Sequence, residues 1–557
     1  MFFTSLCLSF TALAGQVGGG HMERYSISQE GEAHYGGAMD SIRDLNGDGV
    51  QDVVVGAFDE STGNGWRSGA AYVLSGSDGT VLIRVEGEAR SDQFGLSVAG
   101  LDDLDGDGLP DFAVGAPGRD SGGADAAGSL YFFSGADGSL IQRLDSPMDS
   151  ARFGWSVANA GDVDGDGTGD IITGTPFLFG RSGVMSGGAF LLSGVDQSRI
   201  IRLHPASGLG LFGAVVDGLG DVDGDGVGDV AVGIPNEGGQ YGAVRVYSGA
   251  TGLLIHVLSR PYSSMHFGTA VSGVGDLDLD GHNDILIGSD VQDRSGQLTG
   301  GVDVYSGATG AVLFGDLNMG EADTQFGSRL AAVGDLNHDG IPDFAVGAPS
   351  ASPGGIFEAG SAFLYSGSNG AYLHAYHGIQ PGGKLGSAIA GSRNPEGSWQ
   401  GFLIGAQLLD SVGGVNAGGV LRASFRPFLS ISSTTVSRTT GDHLLLKLNF
   451  PEEDAGHPYG LLMSNSGDSV STFQGFAIHL VQDRTFQRTA ARRYPPGMRH
   501  GAGFLDVDGH ATAKFIVPPL APAGLIGTTR WFAAVNYELG GSQVRRVSAT
   551  VPLTILP

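Results

Sequence analysis

The chain has 557 residues, 59 acidic against 30 basic side chains, and 98 Gly with 22 Pro, a net charge of −29. So much Gly excludes long helices and coiled coils, because each Gly inside a helix costs about 1 kcal/mol relative to Ala. The negative charge repels phosphate backbones and excludes unassisted nucleic-acid binding.

The first 14 residues are uncharged, rich in Phe and Leu, and close on Leu13-Ala14 with a small-x-small pattern. They read as a signal peptide over 1–14, and therefore as a secreted or cell-surface protein. Cys7, the only cysteine, lies inside that segment. A mature chain without cysteine has no disulfides, so something else must hold its loops outside the cell. No later stretch approaches the ~18 apolar residues of a transmembrane helix.

From Tyr35 onward an aromatic or aliphatic residue followed by Gly recurs at Tyr35-Gly36, Phe94-Gly95, Phe153-Gly154, Phe212-Gly213, Phe267-Gly268, Phe326-Gly327 and Leu385-Gly386. The steps are 59, 59, 59, 55, 59 and 59 residues, and the short one coincides with a shorter loop at Asn236 to Tyr241. Each unit contains four β-type runs, for example Leu96 to Ala99, a β-branched run such as Ile171-Ile172-Thr173, Leu130 to Phe133, and Leu140 to Leu144. Repeated four-stranded units of fixed period predict an all-β, seven-bladed β-propeller over 25–425. The seventh unit lacks an outer strand, and Tyr25-Ser26-Ile27-Ser28 stands where an outer strand precedes every other Phe-Gly. This N-terminal segment is expected to pair into the last blade and close the ring.

Nine residues after the aromatic position, six units carry an acidic loop with oxygen donors at positions 1, 3, 5 and 9 and Gly at 6. The donor sets, each with the backbone carbonyl of position 7, are Asp44, Asn46, Asp48, Val50 and Asp52; Asp103, Asp105, Asp107, Leu109 and Asp111; and Asp162, Asp164, Asp166, Thr168 and Asp170. The other three are Asp221, Asp223, Asp225, Val227 and Asp229; Asp276, Asp278, Asp280, His282 and Asp284; and Asp335, Asn337, Asp339, Ile341 and Asp343. Such a cage suits a hard cation taking six or more oxygens, and calcium rather than magnesium, which keeps more of its water. An EF-hand is excluded, since position 12 is Val55, Val114, Thr173, Val232, Ile287 or Val346 where a bidentate Glu is required. Carboxylates clustered without a cation repel one another, which favours about six bound calcium ions over solvated acidic turns. The seventh unit offers Asn394, Glu396 and Ser398 but Gly401 near the closing position, so its site is expected to be lost.

Together with Gly115-Ala116-Pro117 and Gly347-Ala348-Pro349, these Phe-Gly and Asp-rich motifs resemble the FG-GAP repeats of the integrin α-subunit propeller. The resemblance implies calcium-stabilised adhesion or ligand binding on the face carrying the Gly-Ala-Pro loops. Six cation loops exceed the three or four usual in integrin α chains and are more similar to secreted bacterial FG-GAP proteins. That face carries Trp66, Arg119, Asp120, Phe177, Phe179, Arg181, Tyr241, Asp293, Arg294 and Glu358.

Residues 426–557 carry 12 basic and 9 acidic groups, which marks a second domain. Runs such as Leu444 to Leu446, Phe515 to Val517 and Trp531 to Val535 predict a small β-sandwich. Asp506 and Asp508 suggest a turn, and Arg484, Arg488, Arg492, Arg493 and Arg499 a basic patch. No catalytic motif occurs, so the expected function is a monomeric secreted binding protein for an extracellular protein or glycan. The rival readings are an enzyme acting on an extracellular polysaccharide and a structural matrix component.

Overall fold

The computed structural model describes residues 18–27, 31–179, 185–204, 210–260, 264–294, 297–391, 401–410 and 415–427. Beyond these it describes 429–431, 435–437, 442–450, 458–464, 470–473, 476–479, 498–499, 502–505, 510–517, 529–537, 544–547 and 551–556.

Seven four-stranded antiparallel sheets follow the repeat, one per unit, and form a seven-bladed propeller. Blade 1 consists of Ala38–Ile42, Asp52–Ala57, Ala70–Leu74 and Val81–Glu86, paired in sequence order. Blades 2 to 6 repeat that order, with an extra short strand, Gln297–Leu298, in blade 5. The second strand of each blade, such as Asp170–Gly174 or Asp343–Ala348, is buried along its whole length, except that in blade 5 burial stops at Ser289 of Asp284–Arg294. It is sandwiched between blades, so its sequence is a continuous apolar run rather than an alternating one. Outer strands such as Leu140–Asp145 are mostly half-exposed.

Blade 7 is built from both ends of the propeller. Leu385–Gly391, Gly401–Ala406 and Gly419–Pro427 are followed in the sheet by Gly18–Ile27, which pairs antiparallel from Gly18 opposite Pro427 to Ile27 opposite Gly419. The closing strand is ten residues long and begins seven residues before the Tyr25 start read from the sequence.

The FG-GAP glycines have one shared physical cause. In every blade the Gly of the second strand faces the Phe-Gly glycine of the next blade, so closely that a Cβ has no room. A Cβ on Gly56 would lie 2.0 Å from Gly95 O, on Gly115 2.0 Å from Gly154 O, and on Gly288 1.9 Å from Gly327 O. The same pairing joins Gly174 to Gly213, Gly233 to Gly268, Gly347 to Gly386, and Gly405 to Gly36 at the closure. The obstructing atom is backbone and cannot swing away. Gly115→Ala is therefore expected to destabilise the propeller by about 3 kcal/mol. Urea unfolding checks this; a stability within about 0.5 kcal/mol of wild type would remove the packing explanation.

The aromatic partners Tyr35, Phe94, Phe212, Phe267 and Phe326 are almost fully buried, each under the blade whose first strand it precedes. Four residues further on, every blade contributes one apolar side chain to the central channel: Met39, Val98, Val157, Val216, Val271, Leu330 and Ile389. These seven lie between two chambers of about 620 and 480 Å3 and border both.

The expected loop at Asn236 to Tyr241 contains one turn of α-helix, Glu237–Gln240. Among the described residues no helix is long and apolar enough to cross a membrane. Beyond Pro427, Leu429–Ile431, Asp442–Asn449, His510–Val517 and Met498–Arg499 form one sheet. Thr435–Ser437, Val551–Leu556, Thr529–Tyr537, Pro458–Ser464 and Ala502–Phe504 form a second, with Val544–Val547 paired to Thr529–Tyr537. The three apolar runs at Leu444, Phe515 and Trp531 all fall within these strands. The 1–14 segment, Asn394, Glu396, Ser398, Arg181, Arg484, Arg488, Arg492, Arg493, Asp506 and Asp508 lie outside the described residues.

Candidate metal centres

Each acidic loop links the first and second strands of its blade, and the same local geometry recurs six times. The position-1 carboxylate caps the turn: Asp44 Oδ1 accepts from Gly47 N at 2.7 Å and Oδ2 from Gly49 N at 2.7 Å. Asp103, Asp162 and Asp221 do the same for Gly106 and Gly108, Gly165 and Gly167, and Gly224 and Gly226. Position 6 requires Gly because its φ lies between 84° and 94° at Gly49, Gly108, Gly167, Gly226, Gly281 and Gly340. Position 3 accepts from the position-5 amide, as Asp105 Oδ1 does from Asp107 N at 3.1 Å.

Position 9 is the first residue of the buried second strand, or immediately precedes it, and its carboxylate joins two hairpins. Asp111 Oδ2 accepts from Leu104 N at 2.6 Å, while Oδ1 accepts from Gly135 N at 2.9 Å. Gly135 belongs to the tight turn between the third and fourth strands of the same blade. The bond recurs from Gly76 to Asp52, Gly194 to Asp170, Gly249 to Asp229, Gly307 to Asp284 and Gly367 to Asp343. A Cβ on any of these turn glycines would strike a loop carbonyl, such as Pro110 O at 1.9 Å from Gly135. The Ser-Gly pairs at 75–76, 134–135, 193–194, 248–249, 306–307 and 366–367 are thus part of the site, which the acidic pattern by itself does not reveal. Their recurrence in step with the Phe-Gly period is the signal that finds them.

The six loops divide into two kinds. In blades 2 to 5 three carboxylates bring oxygens within 4.8 Å of one another: Asp103, Asp105 and Asp111; Asp162, Asp164 and Asp170; Asp221, Asp223 and Asp225; Asp276, Asp278 and Asp284. No lysine or arginine pairs with these residues among the described ion pairs, and the clusters fit a divalent cation by donor chemistry and spacing. Blades 1 and 6 have Asn at position 3 and hold the position-5 carboxylate with serine hydroxyls. Asp48 Oδ2 accepts from Ser77 Oγ at 2.7 Å and Ser75 Oγ at 3.3 Å, and Asp339 Oδ2 from Ser368 Oγ at 2.8 Å and Ser366 Oγ at 3.3 Å. Asn337 also donates its amide to Asp339 at 3.1 Å and Asp343 at 3.0 Å, neutralising from within part of what a cation neutralises elsewhere. Position 7, at Val50, Leu109, Thr168, Val227, His282 and Ile341, is held in the turn by its amide, which donates to the position-5 carboxylate at 2.8 Å in Val50 and Leu109 and likewise in the others. His282 has a second role, its Nδ1 lying 2.9 Å from Val222 O of the neighbouring loop.

Burial, assisted by the neighbouring carboxylates, pushes the position-9 groups up: Asp111, Asp229 and Asp284 to about 6, with Asp52 and Asp170 also raised and Asp343 well above the usual range. Asp164 and Asp278 are raised as well. Asp48 moves the opposite way, held down chiefly by the Ser77 hydroxyl. Charge strain of this kind is what a bound cation relieves.

On the opposite face the candidate ligand residues separate into exposed aromatics, of which Trp66 is flanked by Arg67 at 5.0 Å and Arg90 at 5.3 Å, and groups engaged in polar or ring contacts. Trp66, Phe179 and Tyr241 are exposed, and Phe357 joins them at 69% exposure. Arg119 is instead a cross-link, with Nη2 2.8 Å from Glu88 and further pairs to Asp92 and Asp145. Asp120 accepts from Ala126 N within its own loop, Glu358 pairs with Lys384 at 2.8 Å, and Phe177 packs edge-on against Trp155. Asp293 and Arg294 lie in a strand whose side chains there are outside the described set.

Seven blades, opened by Tyr-Gly, Phe-Gly or Leu-Gly and six of them carrying an acidic hairpin loop, make a β-propeller similar to the FG-GAP propeller of integrin α-subunits. The FG-GAP repeat model matches residues 94–133, 153–189 and 326–365. Integrin alpha-V of Gallus gallus is 30% identical over 233 residues, 38% of this chain and 22% of that one. Integrin alpha-5 of Xenopus laevis is 35% identical over 165 residues, 27% of this chain and 15% of that one. The chain thus spans about a fifth of the length of the curated relatives it matches. Among solved structures, the Kuenenia stuttgartiensis hydrazine synthase aligns at a TM-score of 0.42 and 10% identity over 69% of this chain and 94% of that one, too low a likeness to carry an argument.

Proposed function

We propose that this chain is a calcium-stabilised, non-enzymatic binding protein that works as a monomer outside the cell, with the Gly-Ala-Pro face as its binding surface. The observation that carries the reading is the segregation of the two faces. Acidic loops and Ser-Gly turns share one face, as the bonds from Ser77 to Asp48 and Gly135 to Asp111 require. Exposed Trp66, Phe179, Tyr241 and Phe357 sit on the loops of the other. Aromatic side chains on loops held by a rigid scaffold are suited to recognition. Extracellular calcium modules bind at ~10⁻⁴ to 10⁻³ M, concentrations met outside cells and not in cytosol. The composition of residues 1–14 and the lack of cysteine after Cys7 agree with secretion and with calcium in the place of disulfides.

The test is a glycan and extracellular-protein array probed with the full chain in calcium and in chelator. Calcium-dependent binding that is lost on Trp66→Ala or Tyr241→Ala, with the melt unchanged, is the expected result. Blank arrays combined with strong self-association would favour a matrix component instead.

A further inference from the structure

The channel chamber on the Gly-Ala-Pro side is unlike the rest of this acidic molecule. Its floor is the ring of seven apolar side chains, and its wall includes Trp155, Ser328 and Arg329. Three residues after the aromatic position the other six blades have Ala38, Ser97, Ser156, Val215, Ala270 and Ala388, so a small residue is the rule there. Blade 6 alone has an arginine. The Arg329 side chain is open to the chamber's solvent although protein surrounds it, and this burial pushes its pKa down. Its guanidinium donates to Ser328 O at 2.7 Å, but no ion pair engages it among the described residues. The nearest carboxylate acting on it, Asp290, is taken by His266 at 3.0 Å.

Two further features mark the chamber as built for a ligand. The Ser328 hydroxyl is buried and lacks any hydrogen-bond partner, whereas Ser97 and Ser156 bond to Gly154 O and Gly213 O. Leaving such a buried hydroxyl without a partner is unfavourable, and a ligand oxygen would satisfy it. In the chamber wall Trp155 carries Arg152 over its ring at 5.7 Å, a second guanidinium without an ion pair among the described residues, which also reaches Gln93 Oε1 at 3.4 Å.

We propose that this chamber binds the terminal unit of an acidic oligosaccharide, with the sugar carboxylate on Arg329 and the ring against Trp155. A guanidinium fork matches a carboxylate bidentately, and an aromatic plate offers an apolar face to a sugar. A volume of about 480 Å3 lies within the range of small-ligand pockets, ~300–1,000 Å3. The apolar ring at the inner end of the chamber offers no polar contact to a polymer continuing inward, which favours a chain end. The proposal rests on the binding reading above and narrows it to one ligand class.

Calorimetric titration of the full chain in calcium tests it, using oligomers of galacturonate, glucuronate and mannuronate, their methyl esters, and a C-terminal-carboxylate peptide. At least one uronate oligomer is expected to bind, with its ester at least about tenfold weaker. Arg329→Gln should weaken binding by a similar factor and Trp155→Ala should weaken it for ester and acid alike, both with unchanged melts. Equal affinity for acid and ester, indifference to Arg329→Gln, preference for the peptide, or no uronate binding would each overturn the proposal. If neutral glycans or proteins still bind the wild-type array, the broader binding reading survives that failure.

Discussion

Withdrawal of calcium by a chelator is expected to lower the melting temperature of the propeller by about 7 °C. At ten times its dissociation constant a ligand stabilises by roughly 1.4 kcal/mol per site, so the four three-carboxylate loops contribute about 6 kcal/mol. Unfolding entropy of ~2.1 cal/mol/K per residue over roughly 400 propeller residues converts that figure into the stated shift. The serine-buffered loops of blades 1 and 6 are expected to bind more weakly and to add little until calcium is raised further. Asp105→Asn and Asp164→Asn, which turn strong loops toward the blade 1 and 6 pattern, should each remove about a quarter of the shift. A melt indifferent to chelator would sink the metal reading.

The same sites give the shift a pH dependence. Without metal, Asp111, Asp229 and Asp284 titrate near 6 in the folded chain, against an ordinary value of 3.8. Their protonation in the native state stabilises it fully below about pH 4, and this contribution is lost as pH rises through about 6. Calcium needs the same groups ionised and competes with those protons. The calcium-induced gain in melting temperature should therefore be largest near pH 7.5 and shrink toward pH 5. Scanning calorimetry at the two pH values checks it; equal gains would mean that these carboxylates are not ligands.

Much of the fold is legible in the sequence because its rules are steric and local. Gly115 tolerates no side chain against Gly154 O, so the motif cannot drift and announces every blade boundary. The acidic loops are legible for a similar reason, since Gly108 needs a positive φ and Asp103 must cap its own turn. What stays hidden depends on partners far along the chain. Ser77 and Ser368 reach carboxylates 29 residues away, so that while Asn46 and Asn337 set the loops of blades 1 and 6 apart in the sequence, the serine contacts that accompany them do not show there. Arg119 looks like an exposed recognition residue, yet its acids come from two other segments, the loop with Glu88 and Asp92 and the strand end at Asp145. The apolar channel ring is written in ordinary Val, Leu, Ile and Met, which carry no motif, so it becomes visible only once the period is laid over the structure.

Deletion of Gly18–Ile27 is expected to have the largest effect of any single change, because one strand carries the closure of the whole ring. It pairs with nine residues of Gly419–Pro427, and Met22 is buried in the blade 7 core with Phe402, Tyr376 and Phe425. It also reaches across the seam, since the Tyr25 hydroxyl donates to Ser75 O of blade 1 and Ser26 Oγ lies 2.9 Å from the Tyr35 hydroxyl. At about 1 kcal/mol net per ladder hydrogen bond plus the buried Met22, the strand contributes about 5–10 kcal/mol. That is of the order of a whole domain's stability, ~5–15 kcal/mol. Its removal also leaves Gly419–Pro427 as a bare edge with Leu421 and Phe425 beside it, a template for pairing between chains. The truncated protein is therefore expected to melt broadly and to self-associate in light scattering. A synthetic peptide of residues 18–27 added in trans should restore both the sharp melt and the monomer, since the gap it fills is already shaped by the other three strands of blade 7. A truncated monomer melting within about 2 °C of the full chain would show instead that the glycine-to-glycine seam between Gly405 and Gly36 closes the ring by itself.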